Sequence, residues 1–278
     1  MFTQTMKQEL DDFLIQICTD ASGIILKHKF NNTLQTKEKI SNHKEYDEVT
    51  LADLETQEFL ITQIKSKYQD SQIIAEEGEL SITNNQGLIF SIDPIDGTKE
   101  YVRGGNEASI MIAVLYDGVS VASIVYNPFT TEYVQYQASD NQVIRHRAGH
   151  KEVVKFQEPQ ESAKGLILIS ITDIRNASLK EVNLDKWSVV LVNSGSYGSI
   201  VAKMITNQVS GILLKPTTVH PWDSLPMAIM LNALGYKKYE YNSEFKNWIK
   251  DEIDIRTSKI KIPVTILMHP NVADSVLK

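Results

Sequence analysis

The chain has 278 residues, 42% hydrophobic and 23% charged, a balance that suits a soluble globular protein with a sizeable core. Its formal charge of −7 disfavours a nucleic-acid polymer as partner, since that needs a basic face, and no apolar run approaches the length of a membrane span. A single cysteine, Cys18, excludes a disulfide framework and a thiolate metal cluster, and the polar, acidic N-terminus lacks a signal-peptide pattern, so a cytoplasmic protein is expected.

In chain order, Met6, Leu10, Phe13, Leu14, Ile17, Cys18, Ala21, Ile24 and Ile25 recur at helical spacing and predict a long amphipathic helix ending near Asn31-Asn32. The polar stretch from Thr33 to Glu48 has no period and reads as a loop. A second helix is expected from Val49-Thr50, with Leu54, Leu60, Ile61, Ile64 and Tyr68 as its stripe. Gln72–Ala75 and Gly87–Ile92 read as strands that deliver Glu76-Glu77 and Asp93-Pro94-Ile95-Asp96-Gly97-Thr98 at their ends. Ala108–Tyr116 and Val119–Tyr126 read as a hairpin about Asp117-Gly118, and Tyr133–Ala138 with Gln142–His146 as another about Asp140-Asn141. The first part, residues 1–150, is thus two helices against a largely antiparallel sheet. In residues 151–278, strands are expected at Leu166–Ile171, Val189–Val192, Gly211–Leu214 and Ile262–Met268, and helices at Ser199–Thr206, Ser224–Leu234 and Ala273–Leu277. Pro226 is assigned to the first turn of its helix, where no N–H is lost. The alternation argues for a second α/β unit.

Glu76, Asp93, Asp96, Asp223 and Asp53 stand at predicted strand ends or helix starts. If they met, so many carboxylates would need cations. Oxygen-only ligands, with no thiol and no histidine at ligand spacing, point to a hard ion such as Mg²⁺ or Mn²⁺. Asp96 is placed to bridge two ions, and Pro94 to fix the Ile95 carbonyl as a backbone ligand. The N–H groups of Gly97 and Thr98 would face a phosphate. Each residue also has a plain structural reading. Either Asp93 or Asp96 alone suits a turn, Glu76-Glu77 a solvated pair, Asp53 a charge at a helix start, and Asp223 a helix cap. The joint placement favours attack of a metal-activated water on a phosphate monoester.

These residues resemble the inositol monophosphatase-like, metal-dependent, lithium-sensitive phosphatases in four blocks in order. The blocks are Val49-Thr50 with Asp53, Glu76-Glu77, Asp93-Pro94-Ile95-Asp96-Gly97-Thr98, and Trp222-Asp223. The resemblance implies a layered α/β/α/β/α sandwich, often a homodimer, that hydrolyses small phosphorylated substrates with two or three Mg²⁺ ions. It also implies that Glu76, Asp93, Asp96, Asp223 and the Ile95 carbonyl are ligands, with Glu76, Asp53 and Thr98 in the chemistry and Lys44 approaching the site. Thr98-Lys99-Glu100-Tyr101 is similar to the Thr-Lys-Glu-aromatic run of the 3'(2'),5'-bisphosphate nucleotidases, and Lys99 suits either a second phosphate or a pair with Glu100 in solvent. Gly195-Ser196 and Gly198-Ser199 resemble the region holding the nucleotide's sugar and second phosphate, with Lys203 a turn further on. Three features depart from that pattern. Ser170-Ile171-Thr172-Asp173-Ile174-Arg175 stands where the nucleotidases carry a Ser-Arg-Ser-His-like run, His220-Pro221 precede Trp222, and Leu225-Pro226 follow the aspartate. An inositol or sugar phosphatase, and an idle phospho-ligand-binding protein, are the alternatives.

Overall fold

The computed structural model describes residues 3–31, 36–40, 46–78, 80–82, 84–157, 166–170, 188–192, 196–206 and 208–277. Helix α1 (Gln4–Phe30) starts where the Thr3 hydroxyl accepts from the Met6 N–H, and ends at Asn31 after Lys27, His28 and Lys29. Lys27 and Lys29 complement the carbonyl end of the helix dipole. Its buried stripe runs Leu10, Leu14, Ile17, Cys18, Ala21, Ile25. The stretch expected to be a loop instead contains antiparallel strands β1 (Thr36–Ile40) and β2 (Tyr46–Thr50), paired from Thr36↔Thr50 to Ile40↔Tyr46. Their charged centres, Lys37-Glu38-Lys39 and Asp47-Glu48, break the apolar alternation by which a strand is recognised. Helix α2 (Leu51–Lys67) consequently begins two residues later than expected, with Thr50 as its N-cap.

A seven-stranded sheet follows, built from β3 (Gln72–Ala75), β4 (Leu88–Asp96), β5 (Ser109–Tyr116), β6 (Val119–Tyr126), β7 (Tyr133–Gln137), β8 (Gln142–Arg147) and β9 (His150–Val154) in that spatial order. Only β3 and β4 run parallel. The β5–β6 turn has φ of +49° at Asp117 and +76° at Gly118, the paired positive values of a tight hairpin turn. Alternation along β5 sends Ile110, Ile112 and Val114 toward α1 and α2, and Met111, Ala113 and Leu115 to the other face.

After β10 (Leu166–Ser170) and β11 (Ser188–Val192) come α4 (Tyr197–Ile205), β12 (Gly211–Leu214), β13 (Thr217–Val219) and α5 (Pro221–Ala233). The chain then forms β14 (Lys237–Asn242), β15 (Asn247–Asp251), β16 (Ile260–Ile262), β17 (Thr265–Met268) and α6 (Pro270–Val276). The second sheet has the order β11-β10-β12-β17-β14-β15, parallel at its first three strands and antiparallel beyond, with β13 and β16 paired separately. Helix α5 starts at Pro221, so Pro226 lies inside it and not in the first turn as expected. Its ring removes the N–H that would reach the Trp222 carbonyl.

Ile212 and Leu267 of the second sheet pack with α4 and α5, while Leu213, Ile266 and Met268 pack with Val272 and Ala273 of α6. Residues of α5 also pack on the face of β4 and β5 that α1 and α2 do not cover. The order of layers is α1/α2, first sheet, α4/α5, second sheet, α6, which is the expected α/β/α/β/α sandwich. No helix among the described residues is long and apolar enough to cross a membrane.

Candidate active site

The acidic run is the last part of β4 itself. Asp93 pairs with Met111 and Asp96 with Ser109, so three steps on β4 oppose two on β5. In a regular strand, residues three apart point to opposite faces; the extra residue of this bulge puts both on one. Ile92 and Ile95 accordingly enter the α1/α2 core, leaving Asp93 and Asp96 on the α4/α5 side, both buried.

Asp96 holds the start of α4. Its Oδ2 accepts from Ser196 Oγ and the Gly198 N–H, each at 2.7 Å, and its Oδ1 from the Tyr197 N–H at 2.8 Å. Two glycines permit this approach. A Cβ on Gly97, whose φ is +87°, would lie 2.8 Å from Ser196 Cβ, and one on Gly198 2.8 Å from Val125 Cγ1. Burial pushes the Asp96 carboxyl up to about 6, against the lowering effect of these hydrogen bonds.

Asp53 is clasped from two sides. Thr50 donates its N–H at 2.8 Å, and its hydroxyl, to Asp53 Oδ2, and the Asp53 N–H returns a bond to Thr50 Oγ1 at 3.3 Å. The Thr98 hydroxyl lies 3.0 Å from both Asp53 Oδ1 and the Ile95 carbonyl. Burial raises Asp53 to about 6, opposed by the Thr50 bonds. One turn along α2, Gln57 donates to the Glu77 carbonyl at 2.7 Å and accepts from the Glu77 N–H at 2.9 Å. That amide clamp sets the backbone of the glutamate pair. Glu77 is the more buried of the two, and its charge raises Asp53.

Asp93 draws the constellation together. Burial is the main cause that pushes its carboxyl well above the ordinary range, followed by the charges of Glu76, Asp96, Asp223 and Asp53. Its Oδ1 is buried without a hydrogen-bond partner. Among the described residues no three acidic, histidine or cysteine side chains stand in metal-holding geometry. The oxygens of Asp96 and Asp53 are turned to N–H and O–H donors instead. The residues nonetheless fit a hard cation: an orphaned carboxylate oxygen, surrounded by four like charges, is what a divalent ion would satisfy.

Asp223 sits in the first turn of α5, next in the chain to Trp222, whose ring stacks on that of His220. Tyr197 lies near both Asp223 and Asp96, and burial together with their charges raises its phenol. Of the residues expected to bind substrate, Ser196 and Gly198 are engaged with Asp96, and the Ser199 N–H caps onto Ser196 Oγ at 3.1 Å. Lys99 is exposed on α3 (Thr98–Val102), and Lys203 pairs with Glu107 at 3.1 Å. Lys44, Gly195 and residues 171–175 lie outside the described residues. Thr50 and Glu77 belong to the sequence blocks, whereas Gln57 and Tyr197 lie outside them. Gln57 had a signal, lying one helical turn beyond Asp53.

The chain matches the inositol monophosphatase family over residues 6–270. It is 28% identical over 208 residues to Nus factor SuhB of Vibrio cholerae, covering 73% of each chain. It is 26% identical over 234 residues to inositol-1-monophosphatase of Bacillus subtilis, covering 82% of this chain and 83% of that one. With human 3'(2'),5'-bisphosphate nucleotidase 1 it shares 21% over 230 residues, 81% of this chain and 70% of that one. Among solved structures, inositol monophosphatase-II from Staphylococcus aureus superposes with a TM-score of 0.74 at 18% identity, covering 97% and 93%. The match to the family spans both sheets and all the acidic blocks, and the chain belongs to the inositol monophosphatase family.

Proposed function

We propose that the chain is a Mg²⁺-dependent phosphomonoester hydrolase that converts adenosine 3',5'-bisphosphate to AMP and phosphate. The observation that carries the hydrolase reading is the buried, unpartnered Asp93 Oδ1 among Glu76, Asp96, Asp223 and Asp53. Glu76, Asp93, Asp96, Asp223 and the Ile95 carbonyl would hold the ions. When bound, Mg²⁺ supplies positive charge against the phosphate and acidifies water. Thr98 gives its hydroxyl proton to Asp53 Oδ1, leaving the Thr98 oxygen able to accept a proton from the attacking water. Asp53 Oδ1, 3.0 Å from the Thr98 hydroxyl, is the carboxylate oxygen within reach of that proton. Gly97 and Thr98 would border the phosphate.

The nucleotide substrate is favoured by Thr98-Lys99-Glu100-Tyr101, with Lys99 on the exposed side of α3 beside the site, and by the nucleotidase among the relatives. An inositol phosphate is the second reading, supported by the Bacillus relative's greater likeness. Comparing kcat/KM with Mg²⁺ on adenosine 3',5'-bisphosphate, inositol 1-phosphate and fructose 1,6-bisphosphate, with and without Li⁺, tests both. The nucleotide should lead; preference for either sugar phosphate overturns that assignment. No release from any of them, or release unchanged in Asp96→Asn, overturns the hydrolase reading.

A further inference from the structure

Strand β3 is the edge of the first sheet, paired with β4 on one side. Just past its end, the Glu76 N–H still reaches the Ile92 carbonyl at 3.3 Å, and Ala75 and Leu80 exchange backbone bonds at 3.2 and 3.0 Å, closing a turn over the glutamate pair. Glu77 lies in that turn and is buried, so its N–H and carbonyl need partners. Gln57 of α2 supplies both, donating to the carbonyl at 2.7 Å and accepting from the N–H at 2.9 Å. A residue of an adjoining antiparallel strand would exchange the same two bonds, so one side chain stands in for a strand. Gln57 is itself buried and lies one helical turn from Asp53. One face of α2 therefore carries both the Asp53 carboxylate and the clamp on the glutamates. The charge of Glu76 bears on Asp93 and that of Glu77 on Asp53, so the clamped backbone directs its two carboxylates to different members of the cluster.

We propose that Gln57 is a positioning residue for divalent-cation binding: its carboxamide fixes the turn so that Glu76, and not Glu77, is presented beside Asp93. Gln57 would touch neither ion nor substrate. Without the clamp, two buried backbone groups lose their partners, and the turn must rearrange until water or other groups reach them. That movement carries Glu76 away from Asp93. Groups that orient a metal ligand change metal affinity by about 10–100-fold when they are removed. This role rests on the reading of the carboxylate cluster as an ion site, and it adds the residue that sets the affinity there.

Titration calorimetry with Mg²⁺, on full-length protein stripped with EDTA and dialysed, tests it. Gln57→Met keeps the length of the side chain and removes the amide. Its Mg²⁺ Kd is expected to rise about tenfold or more, and the Mg²⁺ concentration for half-maximal phosphate release to rise with it. The kcat at saturating Mg²⁺ should change far less. A merely structural residue would lower kcat with the fraction folded and leave Kd as in the wild type. Where the wild type binds Mg²⁺, an unchanged Kd in folded Gln57→Met overturns the role of Gln57 alone. A wild type that binds no Mg²⁺ overturns the ion site and this role with it. Should Gln57→Met fail to fold by circular dichroism, hydrogen exchange in the wild-type protein decides. Saturating Mg²⁺ should slow exchange of the Glu77 N–H about tenfold more than that of the β14 amides, and equal slowing sinks the proposal.

Discussion

At Asp93, burial raises the carboxyl well above its ordinary range, and four surrounding carboxylates raise it further. Such a group is held against its own stability, as functional residues often are. Asp93→Asn should therefore raise the melting temperature of metal-free protein by about 2–4 °C, the effect of roughly 1 kcal/mol in a chain of this size. The same change should lower phosphatase kcat/KM by about a thousandfold, as judged from phosphate release. A lower Tm with activity retained would show that Asp93 is only a turn residue. Asp11 in α1 gives a pH effect clear of the site. Its Oδ2 accepts from Ser139 Oγ at 2.7 Å while its Oδ1 has no partner, and burial lifts it from 3.8 to about 6. The folded state then holds this proton more tightly than the unfolded chain does. The penalty is absent below pH 4, grows as pH rises, and is complete above about 6. Urea unfolding of Asp11→Asn should show a gain of about 1–2 kcal/mol at pH 7.5 and almost none at pH 4. An equal gain at both values would mean that the effect is packing and not charge.

Among the elements, the β4 bulge and the start of α4 depend on each other. The bulge turns Asp96 to the same face as Asp93, and α4 reaches Asp96 because Gly97 has no side chain. Gly97→Ala meets two penalties: a left-handed backbone, and a Cβ 2.8 Å from Ser196 Cβ with the Ser196 backbone close behind. It should destabilise by roughly 2 kcal/mol or more in urea unfolding. Because α4 must withdraw, kcat should fall even where the variant remains folded. This dependence was only partly legible in the sequence. The acidic run and the Asp117-Gly118 turn could be read because their residue types dictate local geometry. That Ser196 and Gly198 serve Asp96 could not, since the partners lie about a hundred residues apart. Strands β14 and β15 were hidden for another reason. Lys238 is buried there with its ammonium 2.8 Å from both Glu240 and Asp254, so a charge network replaces the apolar alternation that marks a strand.

For the whole molecule, the middle helical layer joins residues read from sequence as two halves. Met111, Val125, Val134 and Val143 share one core with Ile200, Val201, Met204, Met227 and Leu231. The carboxylates divide likewise, with Asp53, Glu76, Asp93 and Asp96 from the first sheet's side and Asp223 from α5. Neither half can close its inner face alone, so calorimetry should show a single unfolding transition. Ligand linkage then extends to the entire chain. Mg²⁺ at a hundred times its Kd should add about 2.7 kcal/mol to global stability and raise the one Tm by several degrees. Asp223→Asn removes a charge from the second half only, yet it should diminish the Mg²⁺ shift of the whole transition. Two resolved transitions, with only the earlier elements responding to Mg²⁺, would mean that the halves are separate folding units and that Asp223 contributes little to holding the ion.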